Sequence, residues 1–159
     1  MGDRQEFAFV GVDPIILTKD NKVVLALRGN DAAVDAGKWH IPGGLVKHGE
    51  RITATLKRIA KEKTGLDIEL LYPGDLTKSF IGMYDDPSRD SRFHDIALSF
   101  LCEITGGQTN AGLKIAEVKA FDFDAAEKLD MALDHKTILN DALKRLNRKL
   151  PFSKRRLSV

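Results

Sequence analysis

The residues best suited to chemistry are concentrated between Gly43 and Leu66. A glycine pair, Gly43-Gly44, precedes Glu50; Arg58 follows eight residues later, and Glu62 four after that. On a helix, Arg58 and Glu62 lie one turn apart on the same side and can pair. Glycines let the backbone approach a ligand closely, and a helix start offers N–H groups and partial positive charge to an anion. Such a loop–helix element suits a phosphate or a hard divalent cation. The same residues also describe a surface helix with a salt bridge, and the residues alone leave both readings open.

Other side chains could complete a phosphate site. Arg28, Arg89 and Arg92 are candidates to clamp a diphosphate, because a guanidinium fork matches phosphate oxygens. Phe80 or Phe93 could stack on a base, and His94 could protonate a leaving phosphate. His40, His48, His94 and His135 are too scattered along the chain for a metal cluster. Glu117 offers a downstream carboxylate for a metal, whereas Asp122 and Asp124 fit a helix entry.

The elements that must position these residues follow from periodicity. Phe7–Leu17 reads as an apolar strand, the turn Lys19-Asp20-Asn21 follows, and Lys22–Arg28 returns as the second arm of a hairpin. A polar loop, Gly29–Gly37, leads to KWHIPGG, whose Pro42-Gly43-Gly44 is expected to exclude regular structure. Arg51–Thr64 is the clearest helix: Ile52, Leu56, Ile59, Ala60 and Lys63 form one stripe, and Gly65 is a good stop. Further strands are expected at Ile68–Leu71, Thr77–Tyr84, Asp95–Ile104 and Lys114–Phe121, with helices at Ala125–Ala132 and Lys136–Leu146. This mixture lacks the regular alternation of a doubly wound sheet. It predicts an α+β fold, an α/β/α sandwich around a mixed β-sheet.

The stretch GGLVKHGERITATLKRIAKEKTGL resembles the Nudix box: Gly, five residues, Glu, seven residues, Arg-Glu, an aliphatic, any residue, Glu-Glu, any residue, Gly, aliphatic. Gly44, Glu50, Arg58, Glu62, Gly65 and Leu66 fall on their positions without a gap. Gly37, Trp39 and Pro42 match the lead-in to the box, and the opening hairpin is similar as well. The resemblance spans Phe7 to Leu146 and implies a Nudix fold. It implies metal-assisted attack of water on a diphosphate, using Mg²⁺ or Mn²⁺ and here only one ion. Glu62, the Gly43 carbonyl and Glu117 would be the ligands, Glu62, Glu50 and Arg58 the catalytic residues, and Glu50 the group that orients Arg58. Gly43, Gly44 and Lys63 would join Arg28, Arg89 and Arg92 in holding substrate.

Two positions depart from the box. Ile59 and Lys63 stand where the family carries glutamates. Replacing two acids by an apolar and a cationic side chain weakens a divalent site, whose affinity depends on carboxylate charge. Ile59 also falls on the apolar stripe, as a core residue would. Three outcomes stay open: a one-metal hydrolase, a module in which the Lys63 ammonium replaces the metal and binds a diphosphate without cleaving it, and a vestigial site. The usual general-base position is Ile59, so no general base is identified.

The loop and strand Met83–Leu101, the segment Leu133–Leu146 and the strand Gly11–Leu17 resemble the ADP-ribose pyrophosphatase branch. That implies a nucleoside diphosphate linked to another moiety, ADP-ribose or a nucleotide sugar. The same elements recur in sensor domains that bind ADP-ribose-like ligands and carry a further DNA-binding domain, for which this chain is too short.

Composition is consistent with these expectations. A chain of 159 residues is expected to form one domain, residues 1–150, followed by a basic tail, residues 151–159. Twenty-five Lys and Arg against 23 Asp and Glu give a net charge of +2, too balanced to imply a nucleic-acid partner. The single cysteine, Cys102, excludes an internal disulfide and reads as a small buried hydrophobe on a strand. No apolar run is long enough for a membrane span, and MGDRQE holds no apolar signal core. A cytoplasmic protein is expected, and a homodimer only by analogy with the family.

Overall fold

A computed structural model describes residues 6–149. Its centre is β1 (Phe9–Leu17), a run of apolar and β-branched residues whose last seven positions are all buried. It pairs antiparallel with β2 (Val23–Arg28) and parallel with β7 (Asp95–Gly107), from Phe9 opposite Asp95 to Leu17 opposite Glu103. The order β3-β2-β1-β7-β5 places β3 (Trp39–His40) at one edge and β5 (Leu66–Leu70) at the other. The short β4 (Gly44–Leu45) joins β1, β6 (Phe80–Tyr84) joins β7, and β8 (Ile115–Phe121) joins β2. All other pairings being antiparallel, the sheet is mixed.

Alternation along β1 divides the core in two. Val12 and Ile16 face α1 (Ile52–Thr64) with Val24, Leu56, Ile59, Phe100 and Cys102. Ile15 and Leu17 face the opposite layer with Leu25, Leu101, Phe123 and Ile138, where α3 (Phe123–Glu127) and α4 (His135–Lys149) pack. Helices on both faces make the expected α/β/α sandwich, and Cys102 is fully buried on its strand. None of the described helices is long and apolar enough to cross a membrane.

Three local expectations are corrected. The strand expected over Thr77–Tyr84 begins only at Phe80; Leu76–Ser79 is a helical turn, α2, because the Asp75 side chain accepts a 2.9 Å bond from the Lys78 N–H. Gly44, expected to be irregular with Pro42 and Gly43, opens β4 instead and pairs with Val12 of β1, as Leu45 does with Gly11. The helix expected over Ala125–Ala132 ends at Glu127, with its first turn begun by Phe123. The basic tail, residues 151–159, lies outside the described residues.

Helix α1 stops at Gly65, whose φ of 77° is left-handed. The loop after β7 then covers the helix end: Asn110 N–H donates to Thr64 O at 2.7 Å, and Gly112 N–H to Lys63 O at 3.2 Å. This contact fixes the last turn of α1, and with it Lys63, against the β7–β8 loop.

Candidate active site

A cleft of about 330 Å³ opens beside the start of β1 and the β3–β4 connection. Six of the residues that the sequence marks for substrate, Arg28, Arg89, Arg92, Gly43, Gly44 and Lys63, all line it. They come from different elements: the end of β2, the charged loop before β7, the glycine turn and the last turn of α1.

Lys63 enters the cleft from the last turn of α1. Its Nζ donates to the Gly43 carbonyl oxygen. Burial pushes the ammonium down to about 8 despite the nearby Asp13 carboxylate, and Arg28 and Arg92 push the same way. Arg28 donates from Nε to Val34 O at 2.8 Å; burial, then the charge of Arg92, lowers its pKa. Arg92 is half-exposed, paired with Asp90 at 2.7 Å, and sits 5.1 Å over the Phe93 ring. Arg92, held charged by Asp90, disfavours the charge on Arg28, and both arginines disfavour that on Lys63, so an anion bound among the three is favoured.

Arg89 has a different role from the clamp expected of it. Its side chain is only 3% exposed and bonds Asp134 through Nε and Nη2 at 2.8 and 2.7 Å, and Asp95 through Nη1 at 2.6 Å. It ties the charged loop to the start of α4 and of β7, so its guanidinium is committed to carboxylates.

The box residues form a separate cluster on the outer side of α1. Arg58 grips Glu50 through Nε and Nη2, both at 2.8 Å, and reaches Glu62 Oε2 at 3.2 Å and Leu45 O at 3.0 Å. Thr55 Oγ1 adds a 2.6 Å bond to Glu50. The Arg58 bonds, joined by that of Thr55, hold the Glu50 carboxyl down at about 2. Neither Glu50, Arg58 nor Glu62 lines the cleft; the ion pairs brace the turn that carries Gly43 and Gly44.

The expected metal ligands are not brought together. The Gly43 carbonyl is occupied by Lys63, Glu62 is turned to Arg58, and Glu117 is exposed on β8, paired in register with Leu27. Ile59 is buried, with its Cδ1 2.9 Å from where a Cβ on Gly44 would stand, so the apolar stripe claims that position. No group of three His, Cys, Asp or Glu side chains among the described residues could hold a metal. Oxygen ligands are what a divalent ion needs; the residues present do not fit one.

Other expectations also need adjusting. His94 bonds Asp85 O at 3.0 Å and does not line the cleft. Phe80 packs on Phe100 in the core, while Phe93, edge-on to Phe9 at 5.3 Å, lines the cleft. Asp122 and Asp124 do stand at a helix entry, as expected: Asp122 precedes α3, without a side-chain cap, and Asp124 lies in its first turn.

Three cleft residues lacked a local signal. Asp13, which the sequence marks as a match within the first strand of the ADP-ribose branch and gives no role, is 6% exposed, and its carboxylate accepts no protein hydrogen bond among the described residues. Burial raises its pKa to about 7, against the pull of Arg89. A Cβ on Gly43 would overlap Asp13 Oδ1, so glycine is required there. His135 accepts the Ile41 N–H on Nδ1 at 2.9 Å, and burial holds it neutral, down to about 3. His40 Nδ1 meets Ala26 O at 2.8 Å and is likewise held neutral by burial. Ile41 and His135 are 94 positions apart, which no sequence spacing reveals.

The comparisons with known proteins agree with this fold. The chain is 37% identical over 135 residues to an ADP-ribose pyrophosphatase of Methanocaldococcus jannaschii, covering 85% of this chain and 73% of that protein. It superposes on a MutT/nudix family protein from Enterococcus faecalis with a TM-score of 0.73 at 24% identity, covering 92% of this chain and 64% of that one. The NUDIX domain of Shewanella oneidensis NrtR complexed with ADP ribose matches with a TM-score of 0.70 at 22% identity, covering 89% of this chain and 90% of that one. The NUDIX domain family matches residues 9–142, and the chain belongs to that family of hydrolases.

Proposed function

We propose that this Nudix hydrolase acts on a nucleoside diphosphate joined to a second moiety, with ADP-ribose or a nucleotide sugar as substrate class. The observation that carries the reading is the convergence of Arg28, Arg92 and Lys63 on one cleft. Water adds to one phosphorus, the bridging P–O bond breaks, and a nucleoside monophosphate leaves beside the phosphorylated moiety. Phe93, at the cleft wall, offers a face for the base. The ADP-ribose pyrophosphatase relative and the ADP-ribose complex of the NrtR domain support the same ligand class.

A second reading, a binding module that does not cleave its ligand, is favoured by the Lys63 contact with the Gly43 carbonyl. A panel of ADP-ribose, nucleotide sugars, NADH and dinucleoside polyphosphates, each with and without Mg²⁺ or Mn²⁺, separates the two. Turnover of ADP-ribose or a nucleotide sugar supports the hydrolase. Thermal stabilisation without turnover supports the module, and no response to any member contradicts both.

A further inference from the structure

The cleft lacks a place for a divalent ion, yet it holds a cation and a carboxylate in contact with the same glycine. Lys63 donates to the Gly43 carbonyl, and Asp13 Oδ1 lies so close to the Gly43 α-carbon that no side chain fits between them. Both side chains line the cleft. Each is anchored from a rigid element, Asp13 from the fully buried part of β1 and Lys63 from the last turn of α1. The acids around Asp13 are already occupied: Asp95 and Asp134 bind Arg89, and Asp90 binds Arg92. Asp13 alone among them is a cleft carboxylate with neither a hydrogen bond nor an ion pair to the protein. Its carboxylate is therefore free to meet water or a ligand in the cleft.

We propose that Lys63 and Asp13 form a metal-free hydrolytic couple. This rests on the reading of the cleft as a diphosphate site. The part-buried Lys63 ammonium neutralises the phosphoryl oxygens that a divalent ion would otherwise meet. Asp13 is the catalytic residue that receives the proton. An O–H bond of the attacking water breaks and its proton passes to Asp13, while the water oxygen forms a new bond to phosphorus. The bridging P–O bond breaks, its electron pair stays on the leaving phosphate, and no redox partner is needed. Arg28 and Arg92 take up the charge on the leaving side. The neutral His40 and His135 add no further charge to the wall.

The test is ADP-ribose turnover by the full chain in excess EDTA, beside the same assay in Mg²⁺ and in Mn²⁺. The expected result is a rate in EDTA within about twofold of the rate with either ion, since the chain supplies its own cation. Asp13→Asn should then lower kcat on the order of 100-fold with little change in KM, as loss of a general base does. Lys63→Met should weaken ADP-ribose binding roughly tenfold or more, by the loss of a charge-assisted bond. Cooperative calorimetric melting of Lys63→Met near the parent temperature, and of Asp13→Asn at or above it, shows that the fold is intact.

Turnover that EDTA abolishes and Mg²⁺ restores overturns the couple while leaving the substrate class standing. So does an Asp13→Asn variant with unchanged kcat. If neither ADP-ribose nor any nucleotide sugar turns over in any condition, the substrate class and the role of Asp13 both fall. The role of Lys63 is then decided by inorganic pyrophosphate binding in EDTA: binding that Lys63→Met removes supports it, and absent or unchanged binding overturns it.

Discussion

Arg28 stands at the end of β2 with its Nε used by Val34 and no ion-pair partner among the described residues. Its charge is therefore available to a ligand. Arg28→Ala should raise the Kd for ADP-ribose roughly tenfold or more, the equivalent of about 1.5–3 kcal/mol for a charge-assisted bond. Calorimetric titration measures it, and a change below twofold would make Arg28 an ordinary loop residue. Asp13 gives a prediction of a different kind. Its folded-state carboxyl lies near 7, above its ordinary 3.8, so the folded protein holds that proton more tightly than the unfolded chain. Stability from this residue therefore falls as pH rises from about 4 to about 7 and is level above that. Asp13→Asn removes the penalty. The variant should melt near the parent temperature at pH 4 and increasingly above it up to pH 7, with a constant gap beyond. A gap that is constant from pH 4 to 8 contradicts a raised Asp13.

At the scale of elements, two contacts determine how the cleft is held together. Arg89 joins the charged loop, β7 and α4 through two carboxylates. Arg89→Met leaves Asp95 and Asp134 without their cation, and stability should drop by about 3 kcal/mol or more, read by urea unfolding. A drop below about 1 kcal/mol would match a surface pair instead. Ile59 is the second contact, wedged beneath Gly44 within the α1 core. Ile59→Glu would bury an unpaired carboxylate, and a loss of about 2 kcal/mol or more is expected in the same assay. Unchanged stability would mean that α1 can turn this position to solvent. Helix α1 was legible from its apolar stripe and its glycine stop because both signals are local. The role of Arg89 was not, since the acids that claim it lie six and 45 positions away. Helix α2 was missed for a local reason: the Asp75 cap outweighs the strand-like run that follows it.

The whole molecule brings together what its spacing keeps apart. The sandwich and the mixed sheet could be read from apolar alternation, and the box identifies the turn and helix around Gly43 and Lys63. The chemistry of the cleft could not be read in full, because Asp13, His40 and His135 meet only when β1 pairs with β7 and α4 packs under the β3 edge. Folding also separates two groups that sequence places side by side. Glu62 faces outward to Arg58, and its neighbour Lys63 faces the cleft. The central claim is therefore one of position: the diphosphate is held by Arg28, Arg92 and Lys63, away from Glu50, Arg58, Glu62 and Glu117. A crystal structure of the Asp13→Asn variant with ADP-ribose tests it most directly. The account predicts diphosphate oxygens within hydrogen-bond distance of the Lys63 ammonium and at least one of the two guanidinium groups. A diphosphate bound instead through a divalent ion on Glu62, with Lys63 turned away, would contradict it.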